Sequence, residues 1–272
     1  MEVPVPMLMA YPTTNYTVHL KKKEEIAYFG TNKVSRTTDY EYNPSNYQVK
    51  KITETLDSKK KITEYQYGVE NASLLARNMV SVPTKETVSI DKTHVQTKTT
   101  NYASPIGAYS SSMAPSNITI QNGGNTAEVR LKYENYDKFG NPAYITKDDL
   151  TKIVYIWGYN YQYPIAEIKN ITYSQLTNII SATDLDNIAK KMVPTTADMD
   201  KINNLRDNTN LKDAHITTFW YQPLVGVVQV RDPSKRDIFF EYDTFNRLKS
   251  KYTKEDGVTK KIVEGYDYYV KQ

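Results

Sequence analysis

Apolar and β-forming residues alternate with polar ones in short runs along most of the chain, and turn residues interrupt them about every ten positions. Between residues 31 and 67, "KVSRTTDYEY" leads to the turn "NPSN", "YQVKKITETL" to "DSKK", and "KITEYQYGV" returns. "ETVSI" and "THVQTKTTNY" follow, joined by Asp91-Lys92, and "EVRLKYENYD" is answered by "NPAYIT" and "IVYIWGYN". From His215 the alternation resumes with "HITTFWY", "VVQVR", "RDIFFEY", "RLKSKYT" and "VTKKIVEGYDYYVKQ". Period-two runs with hairpin-length links predict a mainly β protein, an antiparallel hairpin meander forming an open or curled sheet.

One segment changes period. Leu176, Ile179 and Ile180, then Leu185, Ile188 and Ala189, fall at helical spacing between Tyr173 and Arg206. Thr183-Asp184 and Thr195-Thr196 offer N-caps, so two or three short helices are expected there. "SPIGAYSSSMAPSNITIQNGGN" reads as loop, with one short strand in "NITIQ". The expected division is an N-terminal meander over residues 1–103, a Ser/Gly/Pro/Asn-rich loop over 104–127, hairpins over 128–169, a helical insertion over 170–213 and a C-terminal meander over 214–272.

Composition narrows this further. Only 39% of the 272 residues are hydrophobic, and 24 tyrosines supply the remaining ring surface, each with an apolar body and a polar tip. The net charge of +4 is spread among interleaved acids and bases, which is a solubility pattern and not a nucleic-acid footprint. Without cysteine there is neither a disulfide nor a thiolate metal site. No run approaches the roughly 18 apolar residues of a membrane-spanning helix, and "MEVPVPMLMAYP" lacks the layout of a signal peptide.

A phrase recurs: "YENYDKFGNP" at 133–142, "FEYDTFNRL" at 240–248 and, more loosely, "DYEYNPSNYQV" at 39–49. Asp at the first position of a turn accepts backbone N–H groups two residues on, and Gly or Asn tolerates the left-handed conformation that ends it. Asp137 with Gly140, Asp243 with Asn246 and Asn43 with Asn46 fit that rule, and Asp232 opens a similar turn. Pro44 and Pro233 sit second, where a fixed φ suits. A catalytic Asp would not be replaced by Asn at 43, so these residues read as structural. Tyr42, Tyr136 and Tyr242 precede the turns at matching positions and are expected to stack on one face.

Together "YENYDKFGNP", "IVYIWGYN", "YQYPIAEI", "YSQL", "TTFWYQPLVGV", "RDPSKRDIFFEYDTFNRL" and "EGYDYYV" resemble the YD-repeat, or Rhs-repeat, proteins, in the form found in Bacteroidetes-type bacteria. The resemblance covers residues 128–272 and, more weakly, 34–68. It implies a β-hairpin ribbon that spirals into a shell. It also implies a secreted or cell-surface setting, in toxin-associated or surface-binding proteins. Full members are far longer, so the chain resembles a terminal piece or a truncated member, whose partner is the rest of a precursor. No autoproteolytic motif or effector segment is recognisable.

Other chemistry is sparse. His19, His94 and His215 lie far apart, and "DLD" (Asp184, Asp186) and "DMD" (Asp198, Asp200) lack the Gly and distal Glu of a calcium loop. Neither a metal nor a cofactor is expected, and no P-loop, dinucleotide fingerprint or nucleophile elbow occurs. The leading expectation is a non-catalytic structural module. The alternative is a carbohydrate or cell-surface binding module that stacks sugars on Trp157, Tyr159, Tyr161, Tyr163, Trp220 and Tyr221. A glycosidase built on two carboxylates ranks third. An open meander also leaves strand edges unpaired, so self-association is expected.

Overall fold

Runs rich in Thr, Val, Ile and Tyr pair with the run that follows them, most of them across turns too short to reach another partner. A computed structural model describes residues 18–104, 107, 109 and 113–269. The first half of the sheet comprises β1 (Lys22–Phe29), β2 (Asn32–Tyr42), β3 (Val49–Leu56), β4 (Lys59–Tyr67), β5 (Pro83–Ile90), β6 (Thr93–Ala103), β7 (Ala114–Asn122) and β8 (Glu128–Tyr136). The second half comprises β9 (Pro142–Lys147), β10 (Lys152–Gly158), β11 (Tyr163–Lys169), β12 (His215–Gln222), β13 (Gly226–Arg231), β14 (Asp237–Tyr242), β15 (Leu248–Glu255) and β16 (Thr259–Gly265). All sixteen form one sheet whose order follows the chain from β1 to β16 without a crossover. Every pairing between adjacent strands is antiparallel, and the sheet does not close. Asp91 and Lys92, at φ 47° and 71°, make the left-handed two-residue turn that matches strand twist.

The segment 104–127, read as a loop with one short strand in "NITIQ", holds a longer strand than expected. Ala114–Asn122 is a full strand that pairs with both neighbours, so the ribbon runs through it. Ser, Asn and Gln serve there because the strand is only partly buried on both faces. Residues 105, 106, 108 and 110–112 of that stretch, and 1–17 of the N-terminal meander, lie outside the described residues. The sequence reading also missed a one-turn helix, α1 (Ala72–Leu75), in the β4–β5 connection; Asn71 caps it by accepting the N–H groups of Ser73 and Leu74.

The β11–β12 connection holds α2 (Tyr173–Thr177), α3 (Ala182–Ala189) and α4 (Thr196–Asn203). Thr172 and Gln175 cap α2 reciprocally, as Thr195 and Asp198 do α4. The cap of α3 is Ser181, not the expected Thr183-Asp184: its hydroxyl accepts the Asp184 N–H at 3.0 Å. An extended residue must precede the helix, and residue 183 already lies inside it. Leu176, Leu185, Ile188, Met199 and Ile202 pack on Val154, Ile156, Ile168 and Ile216, forming the main core. At the two ends of the sheet β1 and β16 are exposed along their whole lengths.

Candidate functional site

The recurring aromatic residues form a line across the sheet. Each even-numbered strand ends in an aromatic ring that donates a hydrogen bond to the backbone carbonyl at the start of the strand before it. Tyr42 donates to Leu20 (2.9 Å), Tyr67 to Val49 (2.7 Å), Tyr102 to Pro83 (3.1 Å) and Tyr136 to Pro115 (2.6 Å). The Trp157 indole N–H donates to Pro142 (2.9 Å), Tyr221 to Pro164 (2.9 Å), Tyr242 to Val227 (2.9 Å) and Tyr268, just past β16, to Leu248 (2.8 Å).

The register explains the repetition. Tyr42 is paired with Val49, Tyr67 with Pro83, Tyr102 with Pro115 and Tyr136 with Pro142. Trp157 is paired with Pro164, Tyr221 with Val227 and Tyr242 with Leu248. Each acceptor from Val49 to Leu248 is therefore also the partner of the preceding ring, and one residue after it is skipped in a β-bulge. Proline suits four of these positions, since a bulge there needs no N–H and leaves the carbonyl free. Tyr42, Tyr136 and Tyr242 do occupy equivalent positions. The expected stack is replaced by hydrogen bonding, because the ribbon sets them six strands apart.

The repeated acids are consumed by their own turns. Asp137 Oδ1 accepts the N–H groups of Phe139 (2.8 Å) and Asn141 (2.9 Å), and Oδ2 accepts from the Asn141 amide (2.8 Å). Asp243 does the same with Phe245 (2.8 Å) and Arg247 (2.9 Å), and takes Arg247 Nε on Oδ2 (2.7 Å). These contacts, the Arg247 N–H first, hold the Asp243 carboxyl below its ordinary range. Asp232 accepts the Arg236 N–H (2.9 Å) and Nε (2.7 Å). The fourth residue of each turn is left-handed: Gly140 at φ 87°, Asn246 at 61° and Lys235 at 65°. Lys235 was not foreseeable from turn chemistry.

Asn46 departs from its expected role. The turn opened by Asn43 is one residue longer, closing from the Asn43 N–H to the Gln48 carbonyl, so Tyr47 takes the left-handed place at φ 58°. Asn46 instead accepts the Gln48 N–H on its side chain and donates to the Val80 carbonyl.

The aromatic residues proposed for sugar stacking are tied into the structure. Tyr159 and Tyr161 are buried, which removes their faces from solvent. Tyr159 Oη donates to the Tyr221 carbonyl at 3.0 Å and accepts the Tyr221 N–H at 2.9 Å. Tyr221 is half-buried, and burial pushes its hydroxyl up to about 12. Trp157 and Trp220 are half-buried; Trp220 packs on the helical core and lies under the Arg231 guanidinium. Tyr159, Asn160 and Tyr161 are all left-handed, and the Tyr161 N–H caps the Ala189 carbonyl at the end of α3 (3.1 Å).

Beside that strained turn a cavity of about 360 Å³ opens between β8–β10 and α3, lined by Tyr136, Tyr155, Trp157, Tyr173 and Leu185. At its rim Asp186 is bonded to Tyr161, Lys190 and Lys138, the last at 3.0 Å. The Lys190 and Tyr161 contacts hold the Asp186 carboxyl well below its usual range. A carboxylate kept ionised and three-fold bonded is a poor general acid or base. His94 bridges the Gly123 carbonyl and the Thr97 hydroxyl, and His19 packs against Tyr42. Among the described residues no three His, Asp or Glu converge as metal ligands, and no helix is long and apolar enough to cross a membrane.

No family model and no curated protein matches the chain. Solved structures do. The TcdB2-TccC3 structure without its hypervariable C-terminal region is 10% identical over 85% of this chain, with a TM-score of 0.37. The Photorhabdus luminescens Tc holotoxin pore is 10% identical over 86%, also with a TM-score of 0.37. This chain spans 12% of the length of either.

Proposed function

We propose that the chain is a non-catalytic structural ribbon of the YD-repeat kind, one portion of a larger β-shell or scaffold in a secreted or surface protein. The observation that carries this reading is the ladder of ring-to-carbonyl hydrogen bonds from Tyr42 to Tyr268. Such a ladder spends the conspicuous residues of the sequence on joining each hairpin to the next. The acids of the recurring phrase are likewise engaged in their own turns, where each holds two backbone N–H groups and a side chain. The resemblance of residues 128–272 to YD-repeat proteins supports the same role and supplies the partner, the rest of a longer precursor.

Two assays test it. The purified chain is applied to a glycan array, where specific hits would favour the adhesin reading. It is also incubated with glycoside substrates alongside Asp137→Asn and Asp243→Asn variants. The scaffold reading expects no turnover and a lower melting temperature in both variants. Turnover that vanishes in either variant at an unchanged melting temperature overturns it.

A further inference from the structure

Among the described residues the ladder has two open ends, and they are complementary. We propose that β16 of one copy of this chain receives β1 of a second copy, head to tail, with Tyr268 opposite Leu20. This rests on the reading of the ladder as the device that joins hairpins.

Leu20 stands to Tyr42 as Leu248 stands to Tyr268. Each carbonyl accepts its tyrosine hydroxyl, at 2.9 and 2.8 Å, and the following carbonyl (Lys21, Lys249) accepts the N–H of Tyr40 or Tyr266. Leu248 also has what Leu20 lacks among the described residues, a preceding aromatic strand end paired across from it. Tyr268 ends its strand with no following strand across from it among the described residues. The repeating rule therefore specifies both halves of the missing rung. Among the described residues both edges are free, with β1 and β16 exposed at every residue.

The rule also fixes the register. In all seven junctions within the sheet the residue after the acceptor is skipped and pairing resumes one place later. Applied to the new junction it skips Lys21 and sets Lys22 opposite Asp267, Lys23 opposite Tyr266, Glu24 opposite Gly265 and Glu25 opposite Glu264. Lys22 with Asp267 is a favourable cross-strand pair, and Lys23 meets a tyrosine ring. Glu25 against Glu264 is the one like-charge pair, and Lys251 already neutralises Glu264 at 2.7 Å. Because the two surfaces differ, the contact does not close on itself as a two-fold dimer would, and it propagates from copy to copy.

The absence of cysteine makes the register directly readable by cross-linking. Directly opposed strand residues come within disulfide reach, and a slip of one residue turns a side chain to the other face. A chain carrying Glu25→Cys and Glu264→Cys is expected to oxidise into a series of dimers, trimers and longer species on a non-reducing gel. A chain carrying Glu24→Cys and Glu264→Cys is expected to give several-fold less. Equal cross-linking in both, or a disulfide dimer from Glu25→Cys alone as abundant as from the pair, overturns the register. Sedimentation of the unaltered chain provides a readout free of substitutions. Mass that rises with concentration is expected, and a monomer at every concentration overturns the association while leaving the internal ladder intact.

Discussion

The Tyr67 hydroxyl donates to the Val49 carbonyl at 2.7 Å, and Val49 is the residue that pairs with Tyr42 across the preceding turn. Each rung thus grips a point that the previous rung already fixes. Stability along the ribbon is in this way shared between neighbours, as in repeat proteins.

Removing one interior rung measures its worth. Tyr136 is 3% exposed and bonds Pro115 at 2.6 Å. Tyr136→Phe leaves that carbonyl without a donor and should cost about 1–2 kcal/mol. Tyr269 is 92% exposed, so Tyr269→Phe is the control with no effect. Urea denaturation of both variants checks the contrast.

Gly226 is required by the rung beside it. Its φ is 154°, and a Cβ there would lie 2.5 Å from Tyr242 Oη, the atom that bonds Val227. Gly226→Ala should destabilise by about 1–3 kcal/mol, as overpacking does. The cost should shrink in a Tyr242→Phe background, where the clashing oxygen is gone. A double-mutant cycle reads that coupling.

The three Asp turns differ in how well their fourth residue suits left-handed backbone. Lys235 pays for a Cβ at φ 65° that Gly140 avoids at 87°. Lys235→Gly should therefore stabilise by about 0.5–1 kcal/mol, after the entropy lost with glycine is deducted. Gly140→Ala should destabilise, since its Cβ would also come within 3.1 Å of Tyr109. Thermal melts of the two variants should move in opposite directions.

Asp198 predicts an acid limb in stability. Burial works to raise its pKa, but the Lys191 ammonium at 2.7 Å and the Thr195 donors prevail and hold it at about 2. A carboxyl whose folded pKa lies below its unfolded value contributes fully above about pH 4 and loses that contribution as pH falls toward about 2. Asp198→Asn should flatten the fall in melting temperature over that window.

Much of the ribbon was legible because turn chemistry and period-two alternation are local. "YENYDKFGNP" announced both its strand and its Asp-bonded turn, and the helical segment announced itself through Leu176, Ile179 and Ile180. The ladder was not legible as hydrogen bonds, since Tyr136 and Pro115 are linked by a register that no local pattern states. Yet its letters were visible: an aromatic closes one strand, and Pro83, Pro115, Pro142 or Pro164 opens the next. The strand expected in "NITIQ" proved longer, Ala114–Asn122, because Ser and Asn mark loops by composition, whereas neighbours on both sides extend the pairing. Tyr159 and Tyr161 looked like stacking platforms because alternation alone cannot say that the helical core buries Tyr159 and that α3 holds Tyr161.

A bulge beside the ring recurs at every junction between hairpins, and further bulges lie within the β5–β6, β7–β8 and β15–β16 pairs. At each junction from Tyr42–Val49 to Tyr242–Leu248, the odd strand carries one residue more than its partner at the end where the rings lie. The opposite end has tight returns, such as Asp91-Lys92. Each bulge bends its strand and adds local twist, so a strip that repeats one at every second pairing cannot lie flat. The same spacing of Tyr, Trp and Pro that joins the strands thereby gives the sheet a built-in tendency to cup, with the direction of bending written into which strands hold the extra residue.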